Sequence, residues 1–292
     1  MVETITSYAA GTLAVLGMLA LVSAVALAVA NRFFSVQVDP RQAEIEEVLP
    51  KANCGACAFG GCAAYAEAVA AGKADANLCV PGGAEVAAKI ATIMGVAVGA
   101  FSPKVAVILC QGSFQATGDR FRYVGQSDCR AAAATQYGQT ACTYACLRLG
   151  SCVRACPFDA MRMDPETGLP RVLEDRCTAC GTCAEVCPKN VIAILPKDKH
   201  VHVLCRNQDA GRVTRQLCTV GCIACKRCEK VCPVEGSAIH VKDNVATVDL
   251  ATCIQCGKCV KECPVGCIGD FRQWRRRAGK QEQAKPEEVA AA

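Results

Sequence analysis

The sequence predicts an α+β protein with a single N-terminal transmembrane helix, a small helical cysteine module and two tandem copies of a larger cysteine-rich unit. Three observations predict it. Cys129, Cys142, Cys146, Cys152, Cys156, Cys177, Cys180, Cys183 and Cys187 reappear 76 residues later as Cys205, Cys218, Cys222, Cys228, Cys232, Cys253, Cys256, Cys259 and Cys263. Cysteine spacing that holds while the residues between change marks a repeat of metal ligands. Each copy also carries the C-x2-C-x2-C-x3-C-P run of bacterial ferredoxins with two [4Fe-4S] clusters. Finally, Thr4 to Asn31 is 28 residues without a charge, against roughly 20 needed to cross the hydrocarbon core as a helix.

The boundaries expected are an anchor at 1–32, a membrane-proximal [4Fe-4S] module at 33–100, ferredoxin-like units at 101–200 and 201–270, and a basic then disordered tail at 271–292. A cleavable signal peptide is the competing reading of the first segment. Its start, Met1-Val2-Glu3, is acidic where a signal peptide is basic, and its apolar stretch is too long. Arg32, Arg41 and Lys51 follow the span while only Glu3 precedes it, which places the bulk of the chain on the cytoplasmic side of a bacterial inner membrane.

The 25 cysteines do not read as a disulfide framework. Their number is odd, they come in tight C-x2-C runs, and several are followed directly by proline. Ligation therefore carries much of the folding free energy in this part of the chain.

In the first module a helix-compatible stretch, Ala43 to Leu49, leads to Cys54, Cys57, Cys62 and Cys79. Four thiolates in that arrangement suit one cubane, and Gly55, Gly60 and Gly61 let the backbone close around it. A structural zinc is the alternative, since it also takes four thiolates. Ala63–Gly72 and Glu85–Ala100 read as helices behind the site.

In ferredoxin-like units the first three cysteines of one run share a cluster with the fourth of the other. That rule joins Cys156 to Cys177, Cys180 and Cys183 in the first unit. In the second it joins Cys222, Cys225 and Cys228 to Cys263, and Cys253, Cys256 and Cys259 to Cys232. Hairpins are expected between the runs, over Ala160–Leu173 and Ala238–Asp249. One cluster departs from the pattern, because Leu149 stands where Cys225 stands in the second copy. Cys146, Cys152 and Cys187 then need a fourth ligand. Cys142 is the expectation, with Cys110 or a three-iron cluster as alternatives. Cys110, Cys129, Cys205 and Cys218 are left as buried thiols or as a sixth site bridging the repeats, so the chain holds at least five clusters, or six. Cys267 reads as a plain thiol, and His200, His202 and His240 as structural. No catalytic acid, base or nucleophile is identifiable.

Charge is uneven. Residues 142–187 carry five basic and six acidic side chains, whereas residues 218–280 carry eleven basic and six acidic. Lys226, Arg227, Lys230, Lys258 and Lys261 lie close to the second unit's cysteines and form a docking face for an acidic redox partner, or a solvated face. The run Arg272 to Arg277 suits anionic lipid or a neighbouring subunit. Nothing beside it reads nucleic acid.

Together the span, the Cys54-Gly55-Ala56-Cys57-Ala58-Phe59-Gly60-Gly61-Cys62 segment, Leu147-Arg148-Leu149-Gly150-Ser151-Cys152 and Cys218-Thr219-Val220-Gly221-Cys222-Ile223 resemble the B subunit of the Rnf ion-translocating electron-transport complex. The resemblance covers nearly the whole chain. It implies a membrane-anchored electron relay between soluble ferredoxin and NAD(H)-linked, flavin-bearing subunits, coupled to Na+ or H+ transport. A ferredoxin subunit of a non-translocating reductase and a zinc-rich scaffold are the competing expectations.

Overall fold

The structure is a computed structural model and describes residues 2–34, 39–97 and 102–272. The tail from Gln273 onward, with most of its basic run, lies outside the described residues, and the helix expected to reach Ala100 already ends at Met94.

Helix α1 (Val2–Phe34) contains an apolar stretch from Ala14 to Arg32, none of whose side chains is buried. At ~1.5 Å per residue it is long enough to cross a bilayer. Helix α2 (Pro40–Val48) starts earlier than expected, because Asp39 caps it by accepting the Arg41 N–H at 2.9 Å and Pro40 fits its first turn. Helices α3 (Cys62–Ala70) and α4 (Gly83–Met94) follow, the latter ended by Gly95 in the left-handed region. Ile45, Leu49, Tyr65, Val69, Cys79 and Ile90 pack together as this module's core.

Each larger unit has the expected hairpin. Strands β2 (Met161–Met163) and β3 (Pro170–Val172) pair antiparallel in the first unit, and β6 (Ile239–Lys242) and β7 (Val245–Val248) in the second. Asp243 and Asn244 both take positive φ, as a two-residue turn of that hand requires.

A second pairing in each unit joins its entry to its exit. Strand β1 (Lys104–Ile108) runs antiparallel to β4 (Ile192–Pro196), and β5 (Val201–Val203) to β8 (Ile268–Asp270). Beyond these ladders the Leu109 N–H donates to Val191 O at 2.6 Å, and the Leu204 N–H to Cys267 O at 2.7 Å. Val191 and Cys267 are 76 residues apart, so Leu109 and Leu204 occupy equivalent places. Their neighbours Cys110 and Cys205 are therefore structural counterparts, although the sequence repeat aligns Cys205 with Cys129.

The reason is an insertion. Cys110 and Cys142 are 32 residues apart, whereas Cys205 and Cys218 are 13 apart. The extra loop is held from both sides. Arg148, its side chain 3% exposed, pairs with Asp119, donates to Thr117 O at 3.1 Å and lies 4.7 Å from the Phe114 ring. Thr117 Oγ1 donates to Leu217 O at 2.8 Å and the Thr219 N–H to Ala116 O at 2.9 Å, tying the loop to the second unit.

Candidate metal centres

Five cavities in the paired units are each ringed by at least four cysteines. Cys156, Cys177, Cys180 and Cys183 surround one. Cys222, Cys225, Cys228 and Cys263 surround another, with Cys267 behind them, and Cys232, Cys253, Cys256 and Cys259 a third. These are the sets that the crossed-run rule joins. The local reason is shared. Short helices α6 (Ser151–Arg154), α7 (Thr182–Glu185), α9 (Arg227–Val231) and α10 (Lys258–Glu262) each start from a left-handed residue, Gly150, Gly181, Lys226 or Gly257. That residue turns the chain so that the cysteines before and inside the helix face one cavity.

The other two cavities differ from expectation. Cys129, not Cys142, joins Cys146, Cys152 and Cys187. Cys129 opens helix α5 (Cys129–Ala134), capped by Asp128, which accepts the Arg130 and Ala131 N–H groups. Asp128 also accepts the Ser151 hydroxyl at 2.9 Å, and Ser151 Oγ accepts the Cys129 N–H at 2.8 Å. This places Cys129 beside the run that lost a cysteine at Leu149. Cys142 instead joins Cys110, Cys205 and Cys218 around the fifth cavity, between the two units. The two cysteines have thus exchanged the places expected for them.

In the first module the Cys57, Cys62 and Cys79 side chains pack around one core, and Cys54 lies close enough to influence Cys79. The Cys62 N–H donates to Asn53 Oδ1 at 2.8 Å, fixing the glycine-rich turn.

Burial disfavours bare thiolates at several of these cysteines. Burial pushes the thiols of Cys110, Cys152 and Cys259 up to about 11 and those of Cys183 and Cys228 up to about 12. Neighbouring sulfurs add to the rise at each. Thiols raised in this way become thiolates when metal charge replaces their protons. The chemistry fits [4Fe-4S] cubanes, with one thiolate for each iron. Each set rings a cavity. A zinc ion would draw four sulfurs to ~2.3 Å from one point.

Cys267 is buried, with Sγ 3.5 Å from Cys263 Sγ. Its thiol hydrogen bonds lower Cys263 to about 5 and Cys222 to about 6, while the same contacts raise Cys267 itself. It therefore sits as a protonated neighbour of two candidate ligands. His202 is buried, its Nε2 3.1 Å from Lys199 O and its ring edge-on to Phe271. None of the three histidines lines these cavities. Lys226, Arg227, Lys230, Lys258 and Lys261 are exposed on or beside the neighbouring helices α9 and α10, next to the exposed cysteines Cys225 and Cys256. Two functional groups gave no sequence signal: Asp128 with Ser151, which aim Cys129, and Asn207, whose Nδ2 lies 3.4 Å from Cys142 Sγ.

The Fe-S cluster family model matches residues 49–81, and 4Fe-4S dicluster domain models match 141–191 and 217–264. A relative from Acetobacterium woodii, the B subunit of its Na(+)-translocating ferredoxin:NAD(+) oxidoreductase complex, is 43% identical over 80% of this chain and 70% of its own. The B subunit of the proton-translocating ferredoxin:NAD(+) oxidoreductase complex of Clostridium ljungdahlii is 41% identical over 81% of this chain and 83% of its own. The B subunit of the ion-translocating oxidoreductase complex of Methanosarcina acetivorans is 39% identical over 72% and 79%. Identity of this extent assigns the chain to the B-subunit family of Rnf ion-translocating oxidoreductase complexes.

Proposed function

We propose that the chain is a membrane-anchored electron wire carrying six [4Fe-4S] clusters. What supports this is that five cavities are each lined by four or five cysteines, while Cys57, Cys62 and Cys79 pack around one core beside Cys54 in the first module. The ligand sets are Cys54, Cys57, Cys62 and Cys79; Cys129, Cys146, Cys152 and Cys187; Cys156, Cys177, Cys180 and Cys183; Cys110, Cys142, Cys205 and Cys218; Cys222, Cys225, Cys228 and Cys263; and Cys232, Cys253, Cys256 and Cys259. When bound, each cubane supplies one-electron transfer; the protein sets its potential through hydrogen bonds, charge and exposure.

The fourth set joins the two units into one path. The Cys146 N–H, from a ligand of the first unit, donates to Cys110 Sγ at 3.5 Å, and the Cys222 N–H, from the second, to Cys205 Sγ at 3.3 Å. Electrons thus cross between the units through the bridging cluster. Helix α1 anchors the chain in the cytoplasmic membrane with the bulk on the cytoplasmic side. Other subunits of the complex, NADH-binding and flavin-bearing, lie at one end of the path. Soluble ferredoxin docks at the other, on Lys226, Arg227, Lys230, Lys258 and Lys261. Coupling to Na+ or H+ movement belongs to the complex, because a single span offers no conduction path.

The test is anaerobic mixing of the chain, in detergent, with reduced ferredoxin. Bleaching of its visible absorbance, with more than five electrons accepted per chain, is expected. A chain that stays oxidised, or that is colourless and full of zinc, would refute the wire.

A further inference from the structure

The bridging site has pseudo-twofold symmetry in its main-chain donors. The Gly112 and Cys146 N–H groups donate to Cys110 Sγ at 3.3 and 3.5 Å. Those of Asn207 and Cys222 do the same to Cys205 Sγ. The Tyr144 and Ala145 N–H groups face Cys142 Sγ as those of Val220 and Gly221 face Cys218 Sγ.

One side chain breaks the symmetry. Asn207, 2% exposed, donates from Nδ2 to Cys142 Sγ at 3.4 Å. Its Oδ1 accepts the Asp209 N–H at 2.6 Å, which fixes the amide with its NH2 group toward the sulfur. Its counterpart two residues after the strand-end cysteine of the first unit is Gly112. A Cβ there would lie 3.0 Å from Thr117 Cγ2 and 3.3 Å from Cys110 Sγ, so a side chain would have to push its neighbours aside, and the glycine itself supplies no matching donor.

We propose that Asn207 is a positioning residue that sets the reduction potential of the bridging cluster, acting through Cys142 Sγ. The inference rests on the six-cluster reading. Reduction takes one electron and no proton, and the added negative charge spreads onto the ligand sulfurs. A buried N–H aimed at one of them stabilises the reduced form more than the oxidised form, because little water screens it. The potential is therefore higher than the symmetric main-chain donors alone would set.

The experiment is an anaerobic redox titration of the full-length chain followed by EPR, on wild type, Asn207→Leu, Asn207→Asp and Cys142→Ala. The signal lost in Cys142→Ala identifies the bridging cluster. Asn207→Leu is expected to keep ~24 irons, at four per cubane, and to shift that one midpoint to more negative values. Asn207→Asp retains the shape and the Asp209 hydrogen bond but puts an anion at the sulfur, so the shift is larger. If Asn207→Leu loses iron, Asn207→Asp decides alone. A wild-type midpoint in the variants that keep their iron would overturn the role of Asn207. Wild type with ~20 irons and no signal lost in Cys142→Ala would instead remove the bridging cluster, and the inference with it.

Discussion

At the scale of single residues, the exchange of Cys129 and Cys142 makes distinct predictions. Cys129→Ala leaves Cys146, Cys152 and Cys187 with three thiolates, and the first unit is expected to show the EPR signal of a three-iron cluster in its oxidised state. Cys142→Ala is expected to convert the junction cluster in the same way and leave the first unit's signals intact. The reverse pattern would restore the ligand set read from the sequence. Cys267→Ala is expected to keep the full iron content, since its thiol neighbours the ligands Cys263 and Cys222 without completing a set. Acidity follows from burial. Thiols raised to about 11 or about 12 remain protonated at neutral pH in the metal-free chain, and iron must displace those protons. Reconstitution from iron and sulfide is expected to be weakest at low pH and to improve from about pH 7 to about pH 9, with proton release. A pH-independent yield, followed by absorbance, would contradict this.

At the scale of elements, helix α8 (Gly211–Leu217) carries the chain from the bridging site to Cys218. A Cβ on Gly211 would collide with the backbone carbonyl of Ile223, so neither partner can yield by a rotamer change. Gly211→Ala is expected to cost about 1–3 kcal/mol, read as a lower unfolding midpoint and faster cluster loss. The clustered runs and both hairpins were legible in the sequence because their signals are local: fixed cysteine spacings, a proline after each run, and Asp243-Asn244 in the turn. The partners of β1 and β5 were not legible. Each pairs with a strand more than sixty residues away, and a short apolar stretch names no partner. That gap misassigned Cys129, because the 76-residue coincidence with Cys205 is one of number. The equivalence set by the strands joins Cys205 to Cys110.

At the scale of the whole molecule, the sequence indicated both units, the module before them, the apolar N-terminal helix and, as one of two readings, a site bridging the repeats, with Cys129 in the place that Cys142 takes. The bridging set draws Cys110 and Cys142 from one unit and Cys205 and Cys218 from the other, an arrangement that only the tertiary fold brings together. The proposed docking of ferredoxin on the α9–α10 face makes its own prediction. Reversing Lys226, Lys230, Lys258 and Lys261 to glutamate is expected to slow reduction by ferredoxin at least tenfold at low salt and to flatten its salt dependence. Unchanged kinetics would move the docking site elsewhere. The most direct test of the wire is iron, acid-labile sulfide and zinc content of the anaerobically purified full-length chain, with EPR during stepwise reduction. Six cubanes predict ~24 irons and ~24 sulfides per chain with several interacting signals; ~20 irons, or zinc in place of iron, would contradict the account.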